Sequence, residues 1–158
     1  MSRIYWRQLC LIWSGLSLLL VGCGRSPTVE RHPVFPLTGL VKLNGEPAAG
    51  VSLAFFPVGT TRGRGGFAVT QPSGEFEVVS PDGQPGLPEG DYRVLLAKWT
   101  MPDGSPIPTG ASAADNEAIN SLPAVYSDLE RAPSAVKVLP GENPVVMIDV
   151  KQRRLAQR

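Results

Sequence analysis

Proline and glycine interrupt this chain so often after residue 36 that its apolar segments stay short. With 16 prolines and 17 glycines in 158 residues, few stretches suit a long helix, because proline lacks the N–H that a helix needs and glycine costs backbone entropy there. Short apolar runs closed by turn residues read instead as strands. Seven such segments stand out: 37–43, 51–56, 67–70, 76–79, 91–99, 135–139 and 145–150. Phe76 and Val78 fall on one face of their segment, with Glu75 and Glu77 on the other, which is the pattern of a half-buried strand. The longest segment runs from Asp91 to Trp99. There Tyr92, Val94 and Leu96 alternate with Arg93, Leu95 and Ala97, so it is apolar on much of both faces and expected to be central, with the Phe76 strand as its neighbour. Asn44-Gly45 signals a tight turn. Pro47 follows it and cannot donate to a ladder, which argues for a turn and a crossing loop over a simple two-residue hairpin. Residues 100–122 form the least regular piece, with one short helix expected over Ser112–Asn120, capped by Ser112. A loop of that length in a compact domain is commonly functional or disordered.

The N-terminal region carries a different signal. Leu9 to Cys23 reads LCLIWSGLSLLLVGC, preceded by Arg3 and Arg7 and followed at once by a polar, Pro-rich stretch. A basic start, an apolar core and small residues at the end make a secretory signal peptide. The run from Leu9 to Gly22 is short against the roughly 20 apolar residues of a permanent span. Leu20-Val21-Gly22-Cys23 resembles the bacterial lipobox. That resemblance implies cleavage after Gly22 and a diacylglyceryl thioether on Cys23. Two or three acyl chains on one residue would anchor firmly, since each buried CH₂ contributes ~0.8 kcal/mol. Gly24 follows the Cys, where Asp commonly marks inner-membrane retention, and so points to the outer membrane. The expected organisation is a signal helix over 1–22, a tether over 23–36, one β domain over 37–150 and a basic tail over 151–158.

Three further stretches carry a family resemblance. Gly39 to Phe56, GLVKLNGEPAAGVSLAFF, follows the pattern G-x-V-x-x-x-G-x-P-x-x-G-V-x-V. Gly74-Glu75-Phe76 sits like a D-x-x-G-x-F turn, with Ser73 in place of the commoner acidic or Asn residue. Pro88 to Val94 resembles a P-x-G-x-Y-x-V strand start. Together they are similar to the carboxypeptidase regulatory-like, or transthyretin-like, domains over Leu37 to about Val150. The resemblance implies an all-β fold, a single seven-stranded Greek-key β-sandwich. It also implies a non-catalytic role in stability, folding or binding.

The chemistry open to the chain is narrow. Removing Arg3 and Arg7 leaves 13 basic against 14 acidic residues, so bulk charge gives no reason to expect nucleic acid. Cys10 lies in the signal peptide and Cys23 takes the lipid, which leaves no cysteine for a disulfide within one mature chain. Metal sites built on His and Cys are therefore not expected. His32, the only histidine, falls in the tether, so a Ser-His-Asp triad has no partner in the domain. The hydroxyisourate hydrolase that shares the transthyretin-like fold has catalytic histidines and a C-terminal Tyr-Arg-Gly-Ser that this chain lacks. Asp82, Asp103, Asp115, Asp128 and Glu130 show no calcium-loop spacing, although loop carboxylates meeting at one end of a sandwich could still take calcium. Arg62-Gly63-Arg64-Gly65-Gly66 has neither the ending nor the following helix of a phosphate loop, and reads as a flexible β-loop.

These readings favour a lipid-anchored envelope module that is not an enzyme and uses no cofactor or metal. Its partners would be the membrane, through Cys23, and an envelope protein or glycan. The second reading is a small-ligand or glycan-binding lipoprotein working through loop 100–122, with Tyr92, Trp99, Arg62 and Arg64 as its candidate contacts. Aromatic side chains exposed together at one end of the domain would favour the second; buried ones would favour the first.

Overall fold

The computed structural model describes residues 32–108 and 110–151. The expected signal peptide, Cys23 and residues 24–31 of the expected tether lie outside the described residues, as does the tail beyond Lys151. The fold is all-β, with ten strands, one 3₁₀ turn at Ala124–Ser127 and no α-helix among the described residues. In chain order the strands are β1 (Thr38–Leu43), β2 (Glu46–Pro47), β3 (Ser52–Val58), β4 (Gly66–Val69), β5 (Glu75–Glu77), β6 (Gly90–Ala97), β7 (Trp99–Thr100), β8 (Ile119–Asn120), β9 (Ala135–Val138) and β10 (Val146–Val150). Pairing starts before residue 37, because Phe35 exchanges both backbone bonds with Leu87, at 2.8 and 3.0 Å.

The strands form two main sheets. In the first, β1 pairs with β10 in parallel on one side, and with β2 and β5 in antiparallel fashion on the other. The second runs β4-β3-β6-β9 and is antiparallel throughout. Strands β3 and β6 share seven residue pairs, from Ser52↔Ala97 to Val58↔Asp91. A short β7–β8 ladder stands apart.

Alternation along each strand sends one set of side chains into a common core. The first sheet contributes Val41, Phe76, Ile148 and Val150; the second contributes Leu53, Phe55, Ala68, Tyr92, Val94, Leu96 and Val138. All belong to one buried cluster, the arrangement of a β-sandwich. Phe55 and Phe76 meet between the sheets with ring centroids 6.2 Å apart and planes tilted by 43°. The buried hydroxyl of Thr70 is satisfied within the core: it donates to Ala48 O at 2.6 Å and accepts from Val51 N at 2.8 Å.

Three local expectations are corrected. Strand β5 is not the neighbour of β6, whose partners are β3 and β9; β5 lies in the other sheet, against β1. Beyond Glu77 the chain changes sheets. Val78 N bonds Leu37 O at 3.0 Å, whereas Val79 exchanges both backbone bonds with Phe67 of β4. The alternation had shown which face of the strand is buried but not which strand lies beside it.

Pro47 does not prevent a two-residue hairpin. Leu43 faces Glu46 across Asn44-Gly45, whose φ angles of 54° and 91° suit a tight primed turn. Pro47 faces Lys42, and the ladder bond is made one residue on, by Ala48 N to Val41 O at 3.0 Å. The missing N–H thus falls where none is required.

The helix expected over Ser112–Asn120 does not form. Asn116 uses its side-chain amide to reach Ser112 O at 2.8 Å, the carbonyl a helical backbone N–H would take. Glu117 then adopts φ +49°, and Ile119–Asn120 is already strand β8.

The core assignment has direct consequences for stability. Phe76→Ala is expected to cost ~3–5 kcal/mol and Leu96→Ala ~2–5 kcal/mol, since both leave cavities in the shared cluster. A Cβ on Gly39 would collide with the Phe76 ring and Val146 O, so Gly39→Ala should cost ~1–3 kcal/mol. Arg64→Ala loses only a largely exposed pair with Asp82 and should change stability by less than ~0.5 kcal/mol. Chemical denaturation checks the contrast; similar losses at Arg64 and Phe76 would contradict it.

Candidate functional site

A groove lies just past the end of β6. With Tyr92, Val94 and Leu96 buried, the alternation continues through Lys98: Trp99 points outward and Thr100 inward. Trp99 is 45% exposed, a large aromatic area left in contact with solvent.

Its backbone is held from several directions. Trp99 and Thr100 pair with Asn120 and Ile119. Asn120 Oδ1 accepts from Lys98 N at 3.0 Å and from Leu122 N at 3.1 Å. Its amide nitrogen donates to Ser127 Oγ at 2.8 Å, and that hydroxyl donates to Leu96 O at 3.3 Å. The Lys98 carbonyl accepts from both the N–H and the hydroxyl of Ser121, at 2.8 and 3.0 Å. One asparagine therefore ties the returning loop to β6 and to the 3₁₀ turn.

Across from Trp99 the loop folds into an arch. Thr100 bridges to Pro106, and Met101 N bonds Ser105 O at 2.9 Å. Asp103 Oδ1 accepts from the Ser105 hydroxyl at 2.6 Å and its N–H at 2.9 Å. The hydroxyl bond foremost holds the Asp103 carboxyl below its ordinary range. Between the arch and the start of β3 lies a groove of about 570 Å³. It is lined by residues of the arch and the loop beyond it, Pro106, Ile107, Pro108, Ala111 and Ala113 among them, by Ala49, Gly50 and Ser52, and by Lys98, Trp99 and Thr100. Its size lies within the roughly 300–1,000 Å³ of small-ligand sites.

The remaining candidate residues lie elsewhere. Tyr92 is fully buried, and its hydroxyl donates to Pro88 O at 2.9 Å. Burial pushes its pKa up to about 12. Tyr92 and Trp99 are an odd number of residues apart, so one strand turns them to opposite faces. Arg62 lines a separate cavity of about 320 Å³ with His32, Phe35, Thr60, Pro88 and Glu89. That cavity adjoins the start of β6, where Thr61 bonds Asp91 N and O at 2.8 and 3.0 Å. An eight-residue strand is ~26 Å long, so Arg62 and Trp99 sit at opposite ends of β6. Arg64 pairs with Asp82 at 2.6 Å on the surface. Of the four candidate contacts, Trp99 alone joins loop 100–122 at the groove.

Lys98, Asn120, Ala49, Gly50 and Ser52 were not foreseen from the sequence. No three His, Cys, Asp or Glu side chains gather as a metal site among the described residues, and none of their helices is long and apolar enough to cross a membrane. The chain matches no protein-family model, no curated protein and no solved structure.

Tyr92 provides a pH test of the site's supporting core. Its folded pKa lies above the ordinary value of about 10. The unfolded chain therefore loses this proton first, and the stabilisation present below pH ~10 is lost as pH rises towards 12. Tyr92→Phe should cost ~1–3 kcal/mol at pH 8, because Pro88 O loses its donor. The variant should then fall less than the parent between pH 8 and 11. Denaturant titration at both pH values measures this, and parallel losses would contradict the assignment.

Proposed function

We propose that this protein is a lipid-anchored, non-catalytic β-sandwich of the bacterial envelope that presents the Trp99 groove to a partner. The observation that carries the binding role is Trp99 itself: its backbone is fixed by strand pairing and by Asn120, yet its indole stays 45% exposed beside a ligand-sized groove. The aromatic residues divide between the two sequence readings, since Tyr92 and Tyr126 are buried and Trp99 is not.

The finer fold belongs to the same proposal: a seven-stranded Greek-key sandwich of the carboxypeptidase regulatory-like, transthyretin-like type. Two features support it. The motif residues Gly45, Gly50 and Gly74 all occupy positive-φ positions, which explains the residue type at those spacings. The Tyr92 hydroxyl bonds a carbonyl four residues upstream, as in the tyrosine corners of Greek-key sandwiches. The anchor rests on the lipobox at Leu20–Cys23: a signal helix removed after Gly22, lipid on Cys23, and Gly24 directing the protein to the outer membrane.

Cys23→Ala tests the anchor. The parent protein is expected to label with a palmitate analogue and to fractionate with membranes. The variant should do neither, and should accumulate as precursor or soluble protein. Retained labelling and membrane association in the variant would overturn this reading.

A further inference from the structure

We infer that β10 is a docking edge for a second copy of this chain, with the two β10 strands antiparallel and Met147 facing Met147 across a twofold axis. The inference goes beyond the Trp99 groove and does not depend on it.

The pairing scheme shows which edges are open. On one side the two sheets are joined: β5 lies against β1, and Val79 exchanges both backbone bonds with Phe67 of β4. On the other side the first sheet ends in β10 and the second in β9. In an extended strand the N–H and C=O of one residue point the same way, and successive residues alternate. Val150 O accepts from Asn44 N at 2.9 Å, so Val150, and with it Ile148 and Val146, turn their backbone groups to β1. Met147 and Asp149 turn theirs outward, and the same parity carried back from the strand turns Val145 outward. No other strand pairs with them among the described residues. Val145 and Met147 are each 65% exposed, the highest values among the large apolar side chains described.

The two open edges differ in protection. Val94 N bonds Ser134 O, so the outward backbone of β9 and its extension belongs to Ala135, Lys137 and Leu139. Both groups of Leu139 are taken by the Asn143 side chain, at 2.8 and 3.1 Å, and Lys137 puts a charge on the remainder. Charged residues and covered ends are how native sheets discourage edge pairing. The central outward position of β10 is instead the apolar Met147.

The limits of the β10 edge select its occupant. Pro144 has no N–H to give before it, and Lys151 N is spent on the Tyr126 hydroxyl at 3.2 Å after it. The open window, 145–149, is therefore centred on Met147. An antiparallel copy of the same window fits it in full in one register: Met147 on Met147, Val145 on Asp149 and Asp149 on Val145. Each of these pairs exchanges two backbone bonds. A shift of two residues either way leaves only two pairs inside the window. No like charges face each other in the full register, and Asp149 is already matched by Lys151 of its own chain. The pairing uses the open edge of each copy once, so the assembly closes at two.

The test uses the full chain in detergent in a Cys10→Ser, Cys23→Ser background, in which no other cysteine remains. Single cysteines are oxidised with copper phenanthroline, and disulfide-linked dimer is read on a non-reducing gel. Facing residues of a bonded pair have Cα atoms ~5.5 Å apart, within disulfide range, whereas the two Val145 residues would be ~13 Å apart. Met147→Cys should therefore link about tenfold faster than Val145→Cys, Asp149→Cys or Lys137→Cys alone. A mixture of Val145→Cys with tagged Asp149→Cys protein should give the mixed dimer at a rate near that of Met147→Cys. Met147→Pro removes only an outward N–H, because β1 is bonded by the residues on either side. With β-type circular dichroism retained, it should raise the dimer dissociation constant in density-matched sedimentation about tenfold or more. Met147→Lys, which sets two ammonium groups against each other at the axis, should do the same. Met147→Cys linking no faster than Lys137→Cys, Asp149→Cys alone linking as fast, or an unchanged constant in both Met147 variants would overturn the inference. So would a Met147→Cys protein that links only once residues 152–158 are deleted, which would assign the edge to the chain's own tail. A Met147→Cys protein that stays monomeric yet reacts freely with a thiol reagent would also overturn it, and would leave the edge to a strand of another protein.

Discussion

The register of β6 between β3 and β9 is the constraint on which the rest depends. Seven residue pairs with β3 and four with β9 fix which side chains face the first sheet. Because side chains alternate, that register also determines the outward set, and a slip of one residue would exchange the two. Tyr92, Val94 and Leu96 fill the core, where Tyr92 satisfies its hydroxyl on Pro88. The same parity, carried two residues past the strand, leaves Trp99 in solvent and Thr100 inside. Core and groove are thus two results of one alignment.

What the parity leaves free, side-chain hydrogen bonds hold. Residues 100–118 have little regular structure, and a loop of that kind would not by itself keep an aromatic side chain in place. Asn120 does so by bonding backbone on both strands of the return and a hydroxyl of the 3₁₀ turn. The cavity at the start of β6 is framed differently, by the Phe35–Leu87 backbone pair and by Thr61 on Asp91, and Arg62, His32 and Glu89 line it.

Much of this fold was legible in the sequence because burial imposes a period. The strand segments and the buried face of Phe76 and Val78 follow from alternation closed by proline and glycine. Pairing partners were less legible: β5 lies across the core from β6, and no local pattern encodes which sheet a strand joins. Two local readings failed for reasons finer than propensity. Pro47 occupies a ladder position that requires no donor, and Asn116 satisfies with its side chain a carbonyl that a helix would have used. At the site, Trp99 and its loop could be read, but Tyr92 was grouped with them although parity separates the two. Lys98 and Asn120 escaped notice, since a bond between residues 22 positions apart leaves no motif. Arg62 and Arg64, in a glycine-rich stretch without period, could not be positioned from sequence.

The alignment of β6 can be measured directly. In a Cys10→Ser, Cys23→Ser background no other cysteine remains. Single cysteines at Val94, Leu96, Leu95, Ala97 and Trp99 then report accessibility through the rate of thiol labelling in the native protein. Positions 95, 97 and 99 should react readily, and positions 94 and 96 only on unfolding. A Trp99→Cys protein protected like Leu96→Cys, or rates without alternation along the strand, would contradict the register that places both the core and the groove.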